Sequence, residues 1–128
     1  MSSPPLQSPV LALLTAPVVG PAAEGSAYRL VDPAMPQLRA DDLAATRGDG
    51  VFETTVVTNG RPQSLAEHMT RFAKSARMLD LPAPALDRWI ETIHAVIAAH
   101  LPVPELCVKT VLSRGVEGSG IPTGWAYA

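Results

Sequence analysis

The chain has 128 residues, of which 47% are hydrophobic and 17% are charged, a composition typical of one globular domain and not of a disordered tail. Its net charge is −2 and its lysines and arginines are scattered, so there is no basic stripe for a nucleic-acid partner. The single cysteine, Cys107, excludes an internal disulfide and a cysteine-based zinc site, and no metal site is predicted. One cysteine also favours a reducing, cytoplasmic location.

Residues 1–26 are rich in Pro, Ala, Ser and Gly and are predicted to form a partly irregular segment ahead of one domain at 27–128. Within this segment, residues 10–19 read VLALLTAPVV and have the apolar character of a signal-peptide core. No lysine or arginine precedes them and Pro17 interrupts the run, which disfavours a secretory signal. The run is too short to span a bilayer, so no membrane partner is expected, and an irregular or strand-forming segment is the simpler interpretation.

The first half of the domain has the pattern of a short strand followed by a hairpin. Tyr28–Val31 is a strand candidate, and residues 36–50 are predicted to be a loop with one helical turn. Val51–Thr58 is mostly β-branched or aromatic and predicts a longer strand. Asn59-Gly60 follows at once and predicts a tight turn into a return strand at Arg61–Gln63, since both turn residues tolerate positive φ.

Two amphipathic helices are predicted next. The first begins at Ser64, where the sequence SLAE has the form of a capping box, and it ends before Pro82. The second covers about Ala85–His100. The predicted apolar stripes consist of Leu65, Met69, Phe72, Ala76 and Leu79 in the first helix and of Leu86, Trp89, Ile90, Ile93, Val96 and Ile97 in the second.

The remaining elements are again strands. Leu106–Ser113 predicts a strand, residues 114–124 form a glycine-rich loop, and residues 125–128 begin a further strand. This order of strands, a helix pair and more strands predicts an α+β domain: a mostly antiparallel sheet with two helices packed on one face.

Three short motifs follow one another at a particular spacing. They are GDGVFE at residues 48–53, HMTRFAKSA at 68–76 and SRG at 113–115. Together they resemble the small N-terminal domain of the class IV aminotransferases, the fold-type IV enzymes that use pyridoxal 5'-phosphate (PLP). The resemblance covers about residues 28–128. Arg47-Gly48-Asp49, which alone invites a cell-adhesion interpretation, then belongs to the motif at the start of a strand.

The resemblance implies roles for individual residues. Arg71 matches the arginine that contacts the cofactor phosphate, although a surface salt bridge is the alternative for an arginine on a helix. Phe52 and Lys109 match positions facing the substrate, although a core phenylalanine and a solvated strand lysine would look the same in sequence. His68 is expected to be structural, and Arg114 either braces its loop or faces the site.

The resemblance also implies an activity. The chain is most similar to aminodeoxychorismate lyases, which convert 4-amino-4-deoxychorismate to 4-aminobenzoate and pyruvate in folate biosynthesis, because Lys109 lies in a segment like theirs. A D-amino acid or branched-chain amino acid transaminase is the alternative, and a non-catalytic binding or assembly module is a second one. Ser119 stands where some members have a carboxylate-binding arginine, which leaves the substrate open.

The family also implies what lies outside these residues. Its Schiff-base lysine comes from a large C-terminal domain, beyond the position that corresponds to residue 128. We therefore expect no catalytic residue in this chain, inactivity of the chain alone, and a homodimer acting on a small-molecule substrate in the full-length enzyme.

Overall fold

The computed structural model describes residues 5–22 and 25–128. Those residues form one antiparallel sheet of six strands, together with three helices. The strands are β1 (Leu11–Leu14), β2 (Tyr28–Val31), β3 (Gly50–Thr58), β4 (Arg61–Pro62), β5 (Glu105–Ser113) and β6 (Thr123–Tyr127), and the helices are α1 (Leu43–Arg47), α2 (Leu65–Met78) and α3 (Leu86–Ala99).

The strand order across the sheet is β2-β1-β6-β5-β3-β4. The long central pair, β3 and β5, aligns all nine residues of each strand, from Gly50 opposite Ser113 to Thr58 opposite Glu105. The two long helices cover one face, which we call the inner face, while the opposite outer face carries no helix from the described residues. The α+β class predicted from the sequence is confirmed, and the one-turn helix α1 is the helical turn predicted within residues 36–50.

Alternation along β3 decides which side chains reach the core. Glu53, Thr55 and Val57 are buried on the inner face, whereas Phe52 and Thr54 are exposed on the outer face. The same two-residue period continues in β5 and β6. The placement of every site residue depends on this register, because a shift of one residue would exchange the two faces.

The core is centred on a contact between the two long helices. Phe72 of α2 meets Trp89 of α3 edge to face, with ring centroids 4.8 Å apart and planes inclined by 71°. Both rings are fully buried. Gly124 of β6 makes room for the indole, because a Cβ there would lie 2.8 Å from Trp89 Cζ2. A small residue in the sheet thus permits the large ring to pack.

The N-terminal segment is held by the rest of the domain. Leu11–Leu14 forms strand β1, which lies between β2 and β6 in the sheet. Of the two interpretations of the apolar run, an irregular or a strand-forming segment, these residues have the second. Beyond it, Trp89 Nε1 donates to the carbonyl of Pro17 at 2.8 Å. The Arg88 guanidinium donates to the carbonyls of Ala16 and Gly20 at 2.9 and 2.8 Å. Strand pairing and these hydrogen bonds therefore attach the described part of the N-terminal segment to the rest of the chain.

The start of α2 differs from the predicted capping box. The helix begins at Leu65 as expected, but Ser64 adopts a left-handed conformation with φ of 52° and its side chain makes no capping hydrogen bond. The prediction of a Ser64–Glu67 capping box is therefore wrong. Its physical reason is the backbone at Ser64, which follows the short strand β4 in a left-handed conformation and not in the extended one of a capping residue, so that Oγ makes no bond to the first N–H groups of the helix. Among the described residues, no helix has the length and apolarity needed to cross a membrane.

Candidate functional site

A buried carboxylate on β3 is bound by two side chains of α2. Glu53 is 5% exposed because it occupies an inner-face position. His68 Nδ1 lies 2.9 Å from Glu53 Oε1, and Arg71 Nε donates to the two carboxylate oxygens at 2.9 and 3.1 Å. Arg71 Nη2 also donates to Oε1. Residues three apart on a helix lie on one face, so His68 and Arg71 reach the same carboxylate.

Glu53 stays ionised although it is buried. Burial works to raise the pKa of its carboxyl, but hydrogen bonds from Arg71 and His68 and the charge of Arg71 outweigh burial and hold that pKa below its usual range. The hydrogen bond and charge of Glu53 in turn raise the pKa of Arg71. Because an ionised carboxylate only accepts hydrogen bonds, His68 Nδ1 carries the proton in its contact with Glu53.

Arg71 combines this fixed anchor with exposure to solvent. Its side chain is 67% exposed. Beside it, β4 pairs with β3 only at Val57 and Thr58, so the rest of that β3 edge has no strand partner among the described residues. Arg71 Nη1 makes no hydrogen bond within the described part of the chain. The guanidinium therefore presents N–H groups at an open edge of the sheet, where an anion can accept them.

Phe52 and Lys109 lie together on the outer face. Lys109 Nζ lies 4.6 Å from the centroid of the Phe52 ring, a cation–π contact. Phe52 is 61% exposed, so it is not a core residue. The pairing of β3 with β5 explains the contact, because Lys109 is opposite Thr54, two residues from Phe52 on the same face. A cation and an aromatic ring are thus side by side on open surface.

The three predicted site residues fall into two groups. Phe52 and Glu53 are neighbours in sequence, and their side chains project from opposite faces of β3. Arg71 binds Glu53 on the inner face, and Lys109 contacts Phe52 on the outer face. Both groups include a residue of β3, whose edge opposite β5 is paired by β4 only at Val57 and Thr58.

Arg114 braces a loop, which is one of the two roles that the sequence left open for it. Its Nε donates to Asp49 Oδ2 at 2.9 Å and its Nη2 donates to the carbonyl of Leu79 at 2.7 Å. Arg47 Nη2 donates to the same Asp49 oxygen. The hydrogen bonds from Arg114 and then Arg47 hold the pKa of the Asp49 carboxyl below its usual range. The arginine joins the start of β3, the end of β5 and the end of α2.

The neighbouring Ser113 and Gly115 also serve the loop. Ser113 Oγ donates to Asp42 Oδ1 at 2.6 Å and accepts from Gly115 N at 2.8 Å. Asp42 caps α1 through a bond to the backbone N–H of Ala44. Gly115 has a φ of 93°, and a Cβ there would lie 1.9 Å from the carbonyl oxygen of Ile121. Ser113 and Gly115 of the SRG motif therefore set the backbone conformation of this loop.

Three acidic residues of the site had no predicted role. Glu53 belongs to the GDGVFE motif, and its signal is a carboxylate four positions before the apolar Val57, which puts both side chains on the same face of an alternating strand. Asp49 and Asp42 flank α1, where aspartate often caps or pairs locally. No sequence signal connects them to Arg114 and Ser113, which follow more than sixty residues later.

Comparison with known proteins shows which family this chain resembles. A sequence profile described as Amino-transferase class IV matches residues 50–125. A bifunctional aminodeoxychorismate lyase / D-amino acid transaminase from Mycobacterium tuberculosis is 42% identical over 98 residues, which are 75% of this chain and 34% of the relative.

Two solved structures have the same fold. A fold IV-transaminase from Curtobacterium pusillum superposes with a TM-score of 0.89 at 43% identity, covering 93% of this chain and 41% of that one. A hypothetical aminotransferase from Mycobacterium tuberculosis in its PLP-bound form gives a TM-score of 0.79 at 35% identity, covering 93% and 39%. The chain thus spans about a third to two fifths of the length of these relatives. Motifs, fold and sequence identity agree, and the chain belongs to the class IV aminotransferase family.

Proposed function

We propose that these residues form the small domain of a PLP-dependent enzyme and that Arg71 binds the phosphate of the cofactor. The observation that carries the proposal is the pairing of Arg71 with Glu53, which fixes one side of an otherwise exposed guanidinium. The donor set fits a phosphate, because guanidinium N–H groups in a fixed plane match phosphate oxygens in pairs. A family relative solved with PLP supports the same cofactor here.

Glu53 and His68 act through Arg71 in this proposal. A long arginine side chain loses rotamer freedom when it binds an anion, and the bonds from Glu53 remove that freedom before the cofactor arrives. His68 holds the second side of the carboxylate, so Glu53 stays oriented toward Arg71. Glu53 and His68 are therefore positioning residues, and Arg71 is the residue that contacts the cofactor.

Lys109 and Phe52 recognise the substrate. Lys109 offers an ammonium to a substrate carboxylate, and the exposed Phe52 ring offers a flat apolar surface beside it. A substrate lying along the open edge of β3 would meet these outer-face groups while the cofactor phosphate meets Arg71 from the inner face. A carboxylate-bearing amine with a flat or apolar body matches this arrangement.

When bound, the cofactor would supply an aldehyde carbon for the substrate amine and an electron sink for bond cleavage next to that amine. None of the residues given a role above is the lysine that this chemistry needs. We propose that this lysine lies in the part of the full-length enzyme that corresponds to the unmatched part of the relatives. The 128-residue chain alone is therefore expected to show no turnover.

Among reactions of this family, the lyase reaction is our first choice. It cleaves 4-amino-4-deoxychorismate to 4-aminobenzoate and pyruvate, a substrate that carries carboxylates for Lys109. Transamination of D-amino or branched-chain amino acids is the second choice, and the bifunctional name of one relative, together with a fold IV-transaminase at 43% identity, supports it. A non-catalytic module with this fold is the third.

Product analysis of the natural gene product separates these choices. The protein is incubated with PLP, reduced with borohydride and weighed by mass spectrometry, and unreduced protein is assayed with each substrate. One pyridoxyl group per chain with 4-aminobenzoate and pyruvate as products supports the lyase. Formation of a 2-oxo acid with a transferred amine supports the transaminase. No specific adduct and no product would overturn the enzymatic proposal.

Variants of the natural gene product test the role of Arg71 without measuring turnover. Arg71→Gln is expected to weaken PLP binding at least tenfold, because a charge-assisted bidentate contact is lost. Glu53→Gln is expected to weaken it by a smaller factor, because the guanidinium stays charged and loses only its anchor. Arg61→Gln on β4 is the matched control, since its side chain is exposed and belongs to neither group. Equal PLP affinity in all three variants would contradict the proposal.

We also propose that the full-length enzyme is a homodimer in the cytoplasm. The single, exposed Cys107 fits a reducing compartment. Sedimentation of the natural gene product, which would report a monomer if the dimer proposal is wrong, tests the first part.

A further inference from the structure

Polar side chains connect helix α2 to the β3 segment at two places among the described residues. The first is the site described above, where Arg71 of the helix binds Glu53 of the strand. The second lies at the C-terminal end of the helix, where the Arg114 guanidinium donates to the carbonyl of Leu79 and to the carboxylate of Asp49. Leu79 is the residue that ends α2, and Asp49 directly precedes β3. The same helix and strand are therefore held together twice.

The two connections have matching spacings along the helix and along the strand. Arg71 and Leu79 are eight residues apart, which is about 12 Å along an α-helix. Glu53 and Asp49 are four residues apart, which is about 13 Å along an extended chain. The connections thus hold α2 alongside β3, with the two chain directions opposed, and α2 packs on β3 between them. A shift of the helix along the strand would disturb both connections at once.

Arg114 reaches the helix and the strand through one planar group. Its Nε lies 2.9 Å from Asp49 Oδ2, and its Nη2 lies 2.7 Å from the carbonyl oxygen of Leu79. Its backbone N–H also donates to the Asp49 carbonyl at 3.0 Å. The last carbonyls of a helix have no partner within the helix and favour a nearby cation. The fixed fork of a guanidinium therefore sets the distance between the end of α2 and the start of β3, and it needs no open surface to do so.

Arg47 provides an internal comparison. Its Nη2 donates to the same Asp49 Oδ2 at 2.9 Å, but within the described part of the chain it makes no hydrogen bond to α2. The two arginines share one carboxylate, and only Arg114 extends the connection to the helix. Loss of either arginine leaves Asp49 paired with the other. Replacements of the two arginines therefore differ mainly in the contact with Leu79.

We infer that Arg114 is a positioning residue for the cofactor site. By fixing the end of α2 against the start of β3, it keeps the helix in the alignment that brings Arg71 to Glu53. A small displacement matters, because paired hydrogen bonds to a phosphate need the guanidinium in one place. This role rests on the proposed function, since the alignment affects the cofactor only if Arg71 binds its phosphate. Arg114 itself makes no contact with the cofactor in this arrangement.

PLP titration of the natural gene product tests this role. Arg114→Gln is expected to weaken PLP binding about threefold, and by no more than Glu53→Gln does, because it acts through that pair. Arg47→Gln is the matched control and should leave PLP affinity nearly unchanged. Arg114→Lys keeps a charge beside Asp49 but cannot hold both partners, so it should have an intermediate effect. It also replaces Arg114→Gln in the comparison if that variant does not fold, which circular dichroism of each protein before titration reports.

A double variant separates positioning from a general loss of structure. If Arg114 acts through the pair of Arg71 and Glu53, then Glu53→Gln should remove most of the additional effect of Arg114→Gln. If Arg114 only stabilised the fold, the two effects would multiply. Multiplying effects, or equal PLP affinity in Arg114→Gln and Arg47→Gln, would overturn the inference while leaving the proposed function in place. Unchanged PLP affinity in Arg71→Gln would overturn the proposed function, and the role of Arg114 with it.

Discussion

The two faces of β3 use the same motif in opposite ways. On the inner face, Glu53 is buried and its carboxylate is bound by Arg71 and His68. On the outer face, Phe52 is exposed and only Lys109 covers part of its ring. Neighbouring residues of one strand thus serve two purposes, since alternation sends one into the fold and the next toward solvent.

This difference separates structural from recognition roles within a single motif. Inner-face side chains have many fixed partners, so their replacement should lower the free energy of unfolding. Outer-face side chains have few partners inside the chain, so their replacement should leave stability nearly unchanged and affect only ligands. The open edge of β3 is where the two roles meet, because Arg71 is anchored on the inner side and exposed at the rim.

The largest expected effect compares two phenylalanines. Phe72 is fully buried against Trp89, so Phe72→Ala should lower the free energy of unfolding by about 3–5 kcal/mol through lost contacts and a cavity. Phe52→Ala, on the outer face, should lower it by less than about 1 kcal/mol. Denaturant unfolding of both variants and the unchanged chain measures the comparison.

Phe72→Leu protects this test against a variant that does not fold. It keeps most of the apolar volume and should lower the free energy of unfolding by about 1 kcal/mol, still in excess of a surface change. Equal losses for Phe52→Ala and Phe72→Leu would mean that the outer face contributes to the core, which contradicts the division between the faces.

A pH series on Glu53 gives the next effect. Because the pKa of Glu53 is held below its ordinary value of 4.5 in the folded chain, the unfolded chain binds more protons in the acid range. The stabilisation is therefore fully present above the unfolded pKa and is lost as the pH falls through the folded one. Glu53→Gln should lower stability by about 1–2 kcal/mol at pH 7, since Arg71 is partly solvated, and this difference should shrink toward pH 3.

Glu117→Gln is the control for that series. Glu117 is an exposed loop residue without an ion pair among the described residues, so its replacement should leave the pH dependence in place. Asp49, whose pKa is also lowered, gives every variant some acid sensitivity. Only the difference between the unchanged chain and Glu53→Gln therefore reports on Glu53, and a constant difference from pH 7 to pH 3 would show that its charge does not matter.

Much of the fold was predictable because its signals are local. The period of two in Val51–Thr58, the Asn59-Gly60 turn and the helical stripe through Phe72 each specify an element within a few residues. The capping box failed because Ser64 must also close the connection from β4, a requirement that comes from the neighbouring strand. The position of β1 between two other strands was not predictable either, since its partners are β2 and a strand more than a hundred residues later.

The candidate site was predictable only in part. The family resemblance pointed to Arg71, Phe52 and Lys109, but the spacing of residues along a chain does not tell on which face of the sheet each side chain lies. The period of two in β3 also covers Glu53, which it places on the buried face. The role of Glu53 could therefore have been predicted, since a carboxylate on that face needs a cationic partner. The contact between Arg114 and Asp49 could not have been predicted in this way, because it depends on the pairing of β3 with β5.

The smallest stability effect, and the sharpest test of the outer face, is expected at Lys109. Its cation–π contact with the exposed Phe52 is worth little in water, so Lys109→Met should change the free energy of unfolding by less than about 1 kcal/mol. In the natural gene product the same change should raise KM for a carboxylate-bearing substrate about tenfold or more and leave PLP affinity unchanged, with Lys109→Arg restoring part of the loss. Thr54→Ser, opposite Lys109 on the same face, is the control for local disturbance. If Lys109→Met weakened PLP binding as much as Arg71→Gln, the two groups would act as one site, and the separation of roles by the two faces of β3 would have to be abandoned.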